Sequence, residues 1–303
     1  MTFLVADVGG TNTRFALYDQ NGLYDVQHWP TARHSNLLES TEYYLGRVSS
    51  SPTAGCVAVA APIDGGRAKL TNCRWSADVC DMPFSTLLIN DLQAAGYGLS
   101  KLTAKDLQIV QSGSLKEGVT VVIGLGTGHG QAIVVGDQVY STEAGHAEFA
   151  PFDEDSMRLW QFLFRRNGRV RIEDILSGNG MENLLDFSKL SYPLETLPEG
   201  LGAAVSISLF ESQSERCAMA QRLFLSALGS LCADVILQTN ATRLVLVGGV
   251  SEKMSAKIDC SEFWKGFRNK SPMQKIVDSA RVEVLINQEI GLLGAATVAE
   301  RVL

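Results

Sequence analysis

The sequence predicts an α/β protein built from two related halves. Residues 3–19 form an apolar strand, a glycine-rich turn and a second strand, and the same three-part unit recurs at residues 119–135. The chain has 303 residues, enough for about two domains with large buried cores. Two similar units so far apart indicate related α/β halves rather than a short-period repeat array.

Apolar alternation predicts four strands in the first half: Phe3–Val8, Arg14–Asp19, Gly55–Ala61 and Thr86–Asn90. The turn Gly9–Thr13 joins the first two strands. A helix is predicted at Asp91–Leu99, although Gly96 and Gly98 lower its helix propensity. We place the domain boundary just after this helix, near residue 102.

The same criteria predict strands in the second half at Val119–Ile123, Gln131–Val135, Arg243–Val247 and 284–286. The turn Gly124–Gly130 joins the first two of these strands. Helical spacing of apolar residues runs from Ala203 to about Gln238, and a closing helix is predicted at Gly291–Arg301. Ser191–Gly202 is the most loop-like stretch.

Composition excludes several classes of protein. The formal charge is −7, and the basic residues form no run beyond Arg165-Arg166, so we expect no nucleic-acid partner. No uninterrupted apolar run of 18 residues and no signal-peptide core is present, so we expect a soluble, cytoplasmic protein without a membrane partner. The six cysteines form no C-x-x-C pair, which predicts buried, reduced thiols.

The two glycine-rich turns are candidate phosphate-binding loops. Glycines allow successive main-chain N–H groups to converge on phosphate oxygens. Because the protein as a whole is acidic, an anion has to be held by such local donors. Thr11, Asn12 and Arg14 add polar groups at the first turn, and Thr127 does so at the second. Each turn by itself is equally compatible with a plain β-hairpin.

Two familiar nucleotide-binding motifs do not fit these turns. The Walker A pattern, G-x-x-x-x-G-K-[ST], is absent. The dinucleotide fingerprint requires glycines that open a helix, whereas Gly124–Gly130 leads into residues Ala132–Val135 of a predicted strand, which is rich in β-branched residues.

Several acidic and polar residues are candidates for ligand binding. Asp7 ends an apolar strand, where its carboxylate needs either a hydrated Mg²⁺ or an ion pair with Arg14. Asn90-Asp91 lies where a strand enters a helix, a position that suits a ligand group and equally a helix N-cap. Residues Thr142–Glu148 could form a solvated loop, and Glu173 could belong to the first turn of a helix.

Taken together, the motifs resemble those of the bacterial glucokinases, within the hexokinase–actin ATPase superfamily. The resemblance extends over nearly the whole chain, in the order Asp7–Arg14, Ala61–Gly65, Thr71-Asn72 with Trp75, Ile89–Asp91, Gly124–Gly130, Glu143–His146, Phe149–Pro151, Leu176–Gly180, Gly248-Gly249 and Gly291–Ala295. Any one of these motifs could occur by chance, whereas the ordered series could not.

The resemblance implies a two-domain hexokinase/actin-like ATPase fold with ribonuclease H-like halves and a central cleft. The small α/β domain would comprise residues 1–102, completed by the C-terminal helix at 288–303, and the large α/β domain residues 103–287. The family's sugar-binding positions correspond to Asn90, Asp91, Glu143, His146 and Glu173, with Asp91 as the catalytic base. Its nucleotide-binding positions correspond to Ala6, Asp7, Val8, Gly9, Gly10, Thr11, Asn12, Arg14, Gly126, Thr127, Gly128, Gly248 and Gly249.

The expected reaction is ATP-dependent phosphorylation of D-glucose at its 6-hydroxyl, which feeds glycolysis. Carboxylates such as Glu143 and Glu173 suit a neutral sugar, because they accept charge-assisted hydrogen bonds from its hydroxyls. Asp91 would accept the proton of the attacking hydroxyl. Asp7 would act on Mg²⁺ through water. We expect a homodimer.

Three alternatives follow from the same resemblance: a kinase for fructose, mannose or an N-acetylated amino sugar; a non-catalytic sugar sensor; and an actin-like filament ATPase. Such sensors carry a DNA-binding extension, whereas the glycine turn here begins by residue 9, and the retained Asp91 favours an enzyme. His129 and Ala144 depart from the usual pattern; we expect His129 to affect only phosphate contacts and Ala144 to affect sugar preference. No cysteine-rich motif follows His146, so we expect no zinc.

Overall fold

The computed structural model describes residues 1–70, 73–114, 116–195 and 214–303. It divides into two units. The first comprises Met1–Thr103, Asp137–Ser141 and Asn287–Leu303, and the second comprises Ala104–Gly136 and Thr142–Ile286. The sequence had placed 137–141 in the second domain. The Thr71-Asn72 motif, most of the Ser191–Gly202 loop and the start of the helix predicted from Ala203 lie outside the described residues.

The first unit contains a mixed five-stranded sheet, in the order β3-β2-β1-β4-β8. The strands and helices of this unit are β1 (Phe3–Val8), β2 (Asn12–Asp19), β3 (Gly22–Pro30), α1 (Leu37–Leu45), β4 (Ala54–Val59), β5 (Ile63–Asp64), β6 (Arg67–Lys69), β7 (Ser76–Asp78), β8 (Ser85–Asn90) and α2 (Asp91–Gly98). The short strands β5, β6 and β7 form a separate antiparallel sheet. The C-terminal helix Ile290–Val302 also belongs to this unit.

Two layers of side chains cover the faces of the first sheet. Leu4, Ala6 and Val8 of β1 pack into one core with Trp75 and Tyr44, whereas Phe3 and Val5 pack into another. The second core includes Leu292, Ala295 and Ala296 of the C-terminal helix. Because side chains alternate along a strand, Asp7 shares the face that this helix covers.

The second unit contains five strands in the order β11-β10-β13-β14-β9, with helices around them. Its elements are β9 (Leu107–Gln111), β10 (Thr120–Leu125), β11 (His129–Val135), α3 (Glu154–Asn167), α4 (Gly178–Ser188), α5 (Glu215–Thr239), β13 (Arg243–Val247), α6 (Gly249–Met254), α7 (Ser261–Phe267), α8 (Gln274–Ser279) and β14 (Arg281–Leu285). Strand β12 (Gln138–Thr142) falls mainly in the first unit, and α9 denotes Ile290–Val302.

The two units share the strand pattern that the sequence predicted. In each, a hairpin is formed by antiparallel strands, β1 with β2 and β10 with β11. A parallel neighbour, β4 or β13, then lies beside the first strand of the hairpin. The predicted strands are present, most with ends shifted by a few residues. The elements that were not predicted are α1, β3, β5, β6, β7, β9, β12, α3, α4, α6, α7 and α8.

One described helix, α5, is long and apolar enough to cross a membrane by length and composition alone, with a mean hydropathy of 1.4 in its most apolar window. However, 78% of that window is buried within the protein, as in a core helix. The cysteines carry free thiols, but only three are buried: Cys80 is exposed, and Cys73 and Cys260 are half-buried. The expectation that all six are buried is therefore wrong, because these three lie in short peripheral segments rather than in sheet or core-helix positions.

Candidate functional site

The first glycine turn is held from one side and open on the other. Gly9 N–H donates to the Asn12 carbonyl across the turn at 2.9 Å. The buried Thr31 side chain donates to the Gly9 carbonyl at 2.7 Å, and its main-chain N–H donates to the Thr11 carbonyl. Gly10, Thr11 and Asn12 are exposed. The main chain and the two polar side chains are therefore accessible to an anion, and Thr31 is a supporting residue that sequence reasoning missed.

Asp7 lies beside that turn in a partly desolvated position. Its side chain is 19% exposed and forms an ion pair with Arg14, the opposite residue on β2, at 3.4 Å. Burial raises the pKa of Asp7, and the Arg14 guanidinium opposes that effect. Gly291, in the first turn of α9, lies so close that a Cβ there would be 2.6 Å from the Asp7 carboxyl carbon. The ion pair proposed from the sequence is present, and the carboxylate still reaches solvent.

Asn90 and Asp91 lie at the end of β8. Asn90 is the N-cap of α2, because its Oδ1 accepts hydrogen bonds from Leu92 N at 3.0 Å and Gln93 N at 3.2 Å. The cap uses the amide oxygen and leaves Nδ2 as the donor for a ligand. Asp91 is the first residue of α2 and directly follows this cap.

The carboxyl ends of three parallel strands bring these groups to one sheet edge. β1, β4 and β8 run parallel, with Val8 opposite Val59 and Val59 opposite Asn90. The end of β8, at Asn90, is therefore two strand spacings from the end of β1, where the first glycine turn begins. At the usual spacing between strands, these two ends are about 10 Å apart. The first unit thus places the candidate base and one candidate phosphate turn along the same edge.

The second glycine turn lies next to Gly248-Gly249. Gly124 of β10 is opposite Val247 of β13, so both strands end at the same edge. Gly248 has a φ of +94°, and a Cβ there would lie 2.5 Å from the Leu125 carbonyl oxygen. Gly178 N–H donates to the Gly126 carbonyl at 2.8 Å, which ties the start of α4 to the turn. The candidate phosphate-binding turn of this unit therefore lies next to Gly248-Gly249, the candidate adenosine-binding segment.

Glu173 lies against the second glycine turn. Its Oε2 accepts a hydrogen bond from the His129 main-chain N–H at 3.0 Å, and a Cβ on Gly128 would lie 2.7 Å from the same oxygen. The carboxylate is 23% exposed. Glu173 precedes α4 by several residues, so it does not belong to the first turn of that helix.

Glu143 directly precedes a short 3₁₀ turn, Ala144–His146, which ends at His146, and both side chains are well exposed. His146 Nε2 lies 3.9 Å from Glu143 Oε2. Arg171 Nη1 lies 3.3 Å from His146 Nδ1 and 3.7 Å from Glu173 Oε1. Because a guanidinium only donates, it assigns the acceptor role to Nδ1 and the proton to Nε2.

Arg171 is the residue of this group that the sequence did not single out. It also bonds to Asp174 at 2.6 Å, and that hydrogen bond raises the pKa of Arg171. The only local signal was its place two residues before Glu173. Arg171 therefore links His146 to Glu173, and His146 in turn lies near Glu143.

His129 does not behave as the sequence predicted. Its side chain is buried and hydrogen-bonded to protein groups, to the Leu176 carbonyl at 3.0 Å and to Gln131 at 3.1 Å. An imidazole with both nitrogens engaged in this way has none left for a phosphate. The expectation that His129 affects only phosphate contacts is wrong, because the alternation of β11 places this side chain in the interior.

Within the described ranges, no group of three or more His, Cys, Asp or Glu side chains could hold a metal ion. The absence of zinc stays a prediction. The surroundings of Asp7, a partly exposed carboxylate beside an open glycine turn, suit a hydrated divalent cation that accompanies a nucleotide.

Comparison with known proteins places these features in a family. Residues 4–302 match the family model described as Glucokinase. A curated glucokinase from Nostoc sp. is 29% identical over 342 residues, covering 99% of this chain and 100% of that protein.

Two solved structures extend the likeness. The crystal structure of glucokinase from an Antarctic psychrotroph superposes with a TM-score of 0.84 at 27% identity, covering 99% of both chains. A ROK family glucokinase from Streptomyces griseus, solved with glucose and AMPPNP, superposes with a TM-score of 0.72 at 16% identity, covering 99% of this chain and 100% of that chain. The second likeness is one of fold alone.

Proposed function

The chain belongs to the glucokinase family, and from this premise we propose that it transfers the γ-phosphoryl group of ATP to the 6-hydroxyl of D-glucose, releasing glucose 6-phosphate and ADP. The observation that carries the proposal is the common sheet edge of the first unit, where Asp91 and the Gly9-Gly10 turn both follow parallel strands. A hydroxyl-activating carboxylate and a phosphate turn on one edge suit phosphoryl transfer.

In this proposal, Asp91 orients the 6-hydroxyl and accepts its proton as the oxygen attacks phosphorus. The reaction passes through a loose transition state, so the chain contributes mainly positioning and charge stabilisation.

Four further side chains hold the sugar in the proposal: Asn90, Glu143, His146 and Glu173. Glu143 and Glu173 accept hydrogen bonds from hydroxyls, while Asn90 Nδ2 and His146 Nε2 donate to hydroxyl oxygens. A sugar that lacks a recognised hydroxyl would leave one of these groups unpaired, which is a strong basis for selectivity.

The nucleotide is assigned to main-chain groups. The segment Ala6–Thr11, with Asn12 and Arg14, and the turn Gly126-Thr127-Gly128 hold phosphates, and Gly248-Gly249 lies against the adenosine. Mg²⁺, when bound with the nucleotide, neutralises charge on the phosphate oxygens. Asp7 holds water molecules of its coordination shell, and Arg14 keeps that carboxylate oriented.

The deciding experiment is an ADP-release assay with Mg·ATP and a panel of hexoses. We expect kcat/KM for glucose to exceed that for fructose, mannose and N-acetylglucosamine. If another hexose is preferred by tenfold or more, the chain is a kinase for that sugar. If no hexose is turned over yet glucose binds, the chain is a sugar sensor. Measuring glucose 6-phosphate formation with ADP or polyphosphate in place of ATP tests the choice of donor.

We also propose that the enzyme is a cytoplasmic homodimer without nucleic-acid or membrane partners. The formal charge of −7 supports the absence of a nucleic-acid partner. Light scattering after size exclusion measures the mass directly, and a mass of one chain at micromolar concentration would contradict the dimer.

A further inference from the structure

His129 occupies the junction of three segments of the second unit: the glycine turn 126–128, strand β11 and the loop 172–178. We propose that His129 is a positioning residue for the sugar site, one that fixes the Glu173 carboxylate against the second glycine turn. This inference rests on the proposed function, in which Glu173 binds the sugar.

The imidazole of His129 is held in one tautomer. Its Nδ1 lies 3.0 Å from the Leu176 carbonyl oxygen, which only accepts, so Nδ1 carries the proton. Its Nε2 lies 3.1 Å from Gln131 Nε2, the amide donor, so Nε2 accepts. One neutral tautomer satisfies both contacts, and the ring is thereby fixed between β11 and the loop that follows Glu173.

The main chain of the same residue contacts the sugar-binding segments. His129 N–H donates to Glu173 Oε2 at 3.0 Å. A Cβ on Gly145 would lie 2.2 Å from the His129 carbonyl oxygen, so the segment that carries Glu143 and His146 packs directly on this peptide. Glu173 N–H in turn donates to the Gly145 carbonyl at 3.0 Å. A shift of residue 129 therefore moves the Glu173 carboxylate.

The neutral state of the ring is consistent with this role. Burial lowers the pKa of His129 to about 4, so the imidazole carries no charge at neutral pH. It thus anchors the loop through a neutral donor and acceptor pair rather than through an ion pair. A leucine at this position would leave the Leu176 carbonyl and the Gln131 amide without these partners in a buried site.

The test compares H129L with H129N. In H129L, we expect the KM for glucose to rise about tenfold and kcat to fall, with the KM for Mg·ATP changed less than twofold, because a displacement of Glu173 affects the sugar. In H129N, we expect most of the glucose affinity to return, because the amide Nδ2 of asparagine lies near the position of Nδ1 and can donate to the Leu176 carbonyl. Calorimetric titration with glucose provides the same comparison without turnover.

The matched control is H34L, the same substitution at a histidine of the first unit whose side chain is only 8% exposed. It is expected to leave the KM for glucose unchanged. If H129L behaves like H34L, or if H129N shows the same defect as H129L, the inference is wrong.

If H129L does not fold, the variant Q131M tests the inference instead. Removing the amide that donates to Nε2 is expected to raise the KM for glucose several-fold, and an unchanged KM overturns the inference. Measurements on the wild-type protein distinguish the two proposals. If the wild type turns over no hexose, the proposed function is wrong. If the wild type turns over glucose and H129L has the same kinetics, only the role of His129 is wrong.

Discussion

Asp7 shows how opposing effects determine the state of a single carboxylate. Loss of water around it favours the neutral form and raises its pKa, while the Arg14 guanidinium at 3.4 Å favours the charge. The first turn of α9, with Gly291 in contact, also favours a negative charge through the helix dipole. Without Arg14, only the N-terminus of α9 would oppose the rise in the pKa of Asp7 that desolvation causes.

Gly291→Ala tests the contact between α9 and Asp7. The added methyl carbon would lie 2.6 Å from the Asp7 carboxyl carbon, so the carboxylate has to move. We expect activity to require a severalfold higher Mg²⁺ concentration and kcat to fall about tenfold, with glucose binding unchanged. Gly46→Ala is the control, because a Cβ there meets its nearest neighbour at an ordinary 3.4 Å. Equal Mg²⁺ dependence in both variants would contradict the role of Gly291.

Asp91→Asn tests the base. The amide keeps the shape of the side chain but cannot accept the hydroxyl proton, so kcat is expected to fall by about 10²- to 10⁴-fold. Glucose affinity, measured by calorimetry, should change only severalfold. Asp81→Asn, an exposed aspartate of the same unit, should have wild-type kinetics. Wild-type turnover in D91N would remove Asp91 as the base.

At the scale of secondary-structure elements, the site is built from strand ends. In each unit a strand leads into a glycine turn, and the parallel neighbouring strands end at the same edge. Open α/β sheets bind ligands at this edge because the loops and helix N-termini that follow the strands converge there. Gly248 shows how closely those segments pack, since its φ of +94° and its contact with Leu125 both exclude a side chain.

Gly248→Ala and Gly249→Ala form a matched pair at the junction of β13 and α6. At Gly248, a side chain would be strained by the positive φ and by the Leu125 carbonyl at 2.5 Å. We expect a loss of about 1–3 kcal/mol in the free energy of unfolding, measured by urea denaturation. No atom lies within 4 Å of a Cβ at Gly249, so that variant should have nearly wild-type stability. Equal stability of the pair would contradict the close packing.

The burial of His129 between elements predicts a pH effect on stability. Its pKa falls from 6.5 to about 4 on folding, so the unfolded chain binds more protons between these values. Stability from this group is fully present above about pH 6.5 and is lost as the pH falls toward 4, by about 3 kcal/mol. The difference in free energy of unfolding between wild type and H129N should shrink over this range. A difference that is constant with pH would contradict the burial.

At the scale of the whole molecule, both ends of the chain build the first unit. Residues 287–303 join residues 1–103, and α9 supplies Leu292, Ala295 and Ala296 to the core beneath β1. The likeness to solved glucokinases confirms the predicted two-domain hexokinase-like α/β fold. The proposed function assigns Asn90, Asp91, Glu143, His146 and Glu173 to the sugar.

That assignment predicts that single substitutions in either unit weaken glucose binding. Asn90→Ala and Glu173→Gln are each expected to raise the Kd for glucose about tenfold by calorimetry, because each removes a hydrogen bond to the same sugar. Glu148→Gln is the control, an exposed carboxylate of the second unit paired with Arg169. A variant that binds glucose as tightly as the wild type would contradict the assignment of its residue to the sugar.

The sequence predicted the strands best where the apolar signal was continuous. β1 and β13 have the predicted ends, because all but one residue of each strand is apolar, as in strands buried on both faces of a sheet. The amphipathic helix α3 was missed, since its pattern mixes charged residues with large apolar ones. The edge strand β3, rich in exposed residues, gave a weak alternation signal.

The sequence by itself determined the chemistry available to this protein: which carboxylates, glycines and imidazoles it contains, their order along the chain, and the family whose motifs they match. These properties are local, since each depends on residue type and on spacing within a few positions. Tertiary structure decided the environment of each group. That His129 is an internal anchor, that Arg171 lies among Glu173, His146 and Asp174, and that Gly291 lies against Asp7 all depend on contacts between distant segments. Such contacts are set by how strands register and helices pack, which local spacing does not specify.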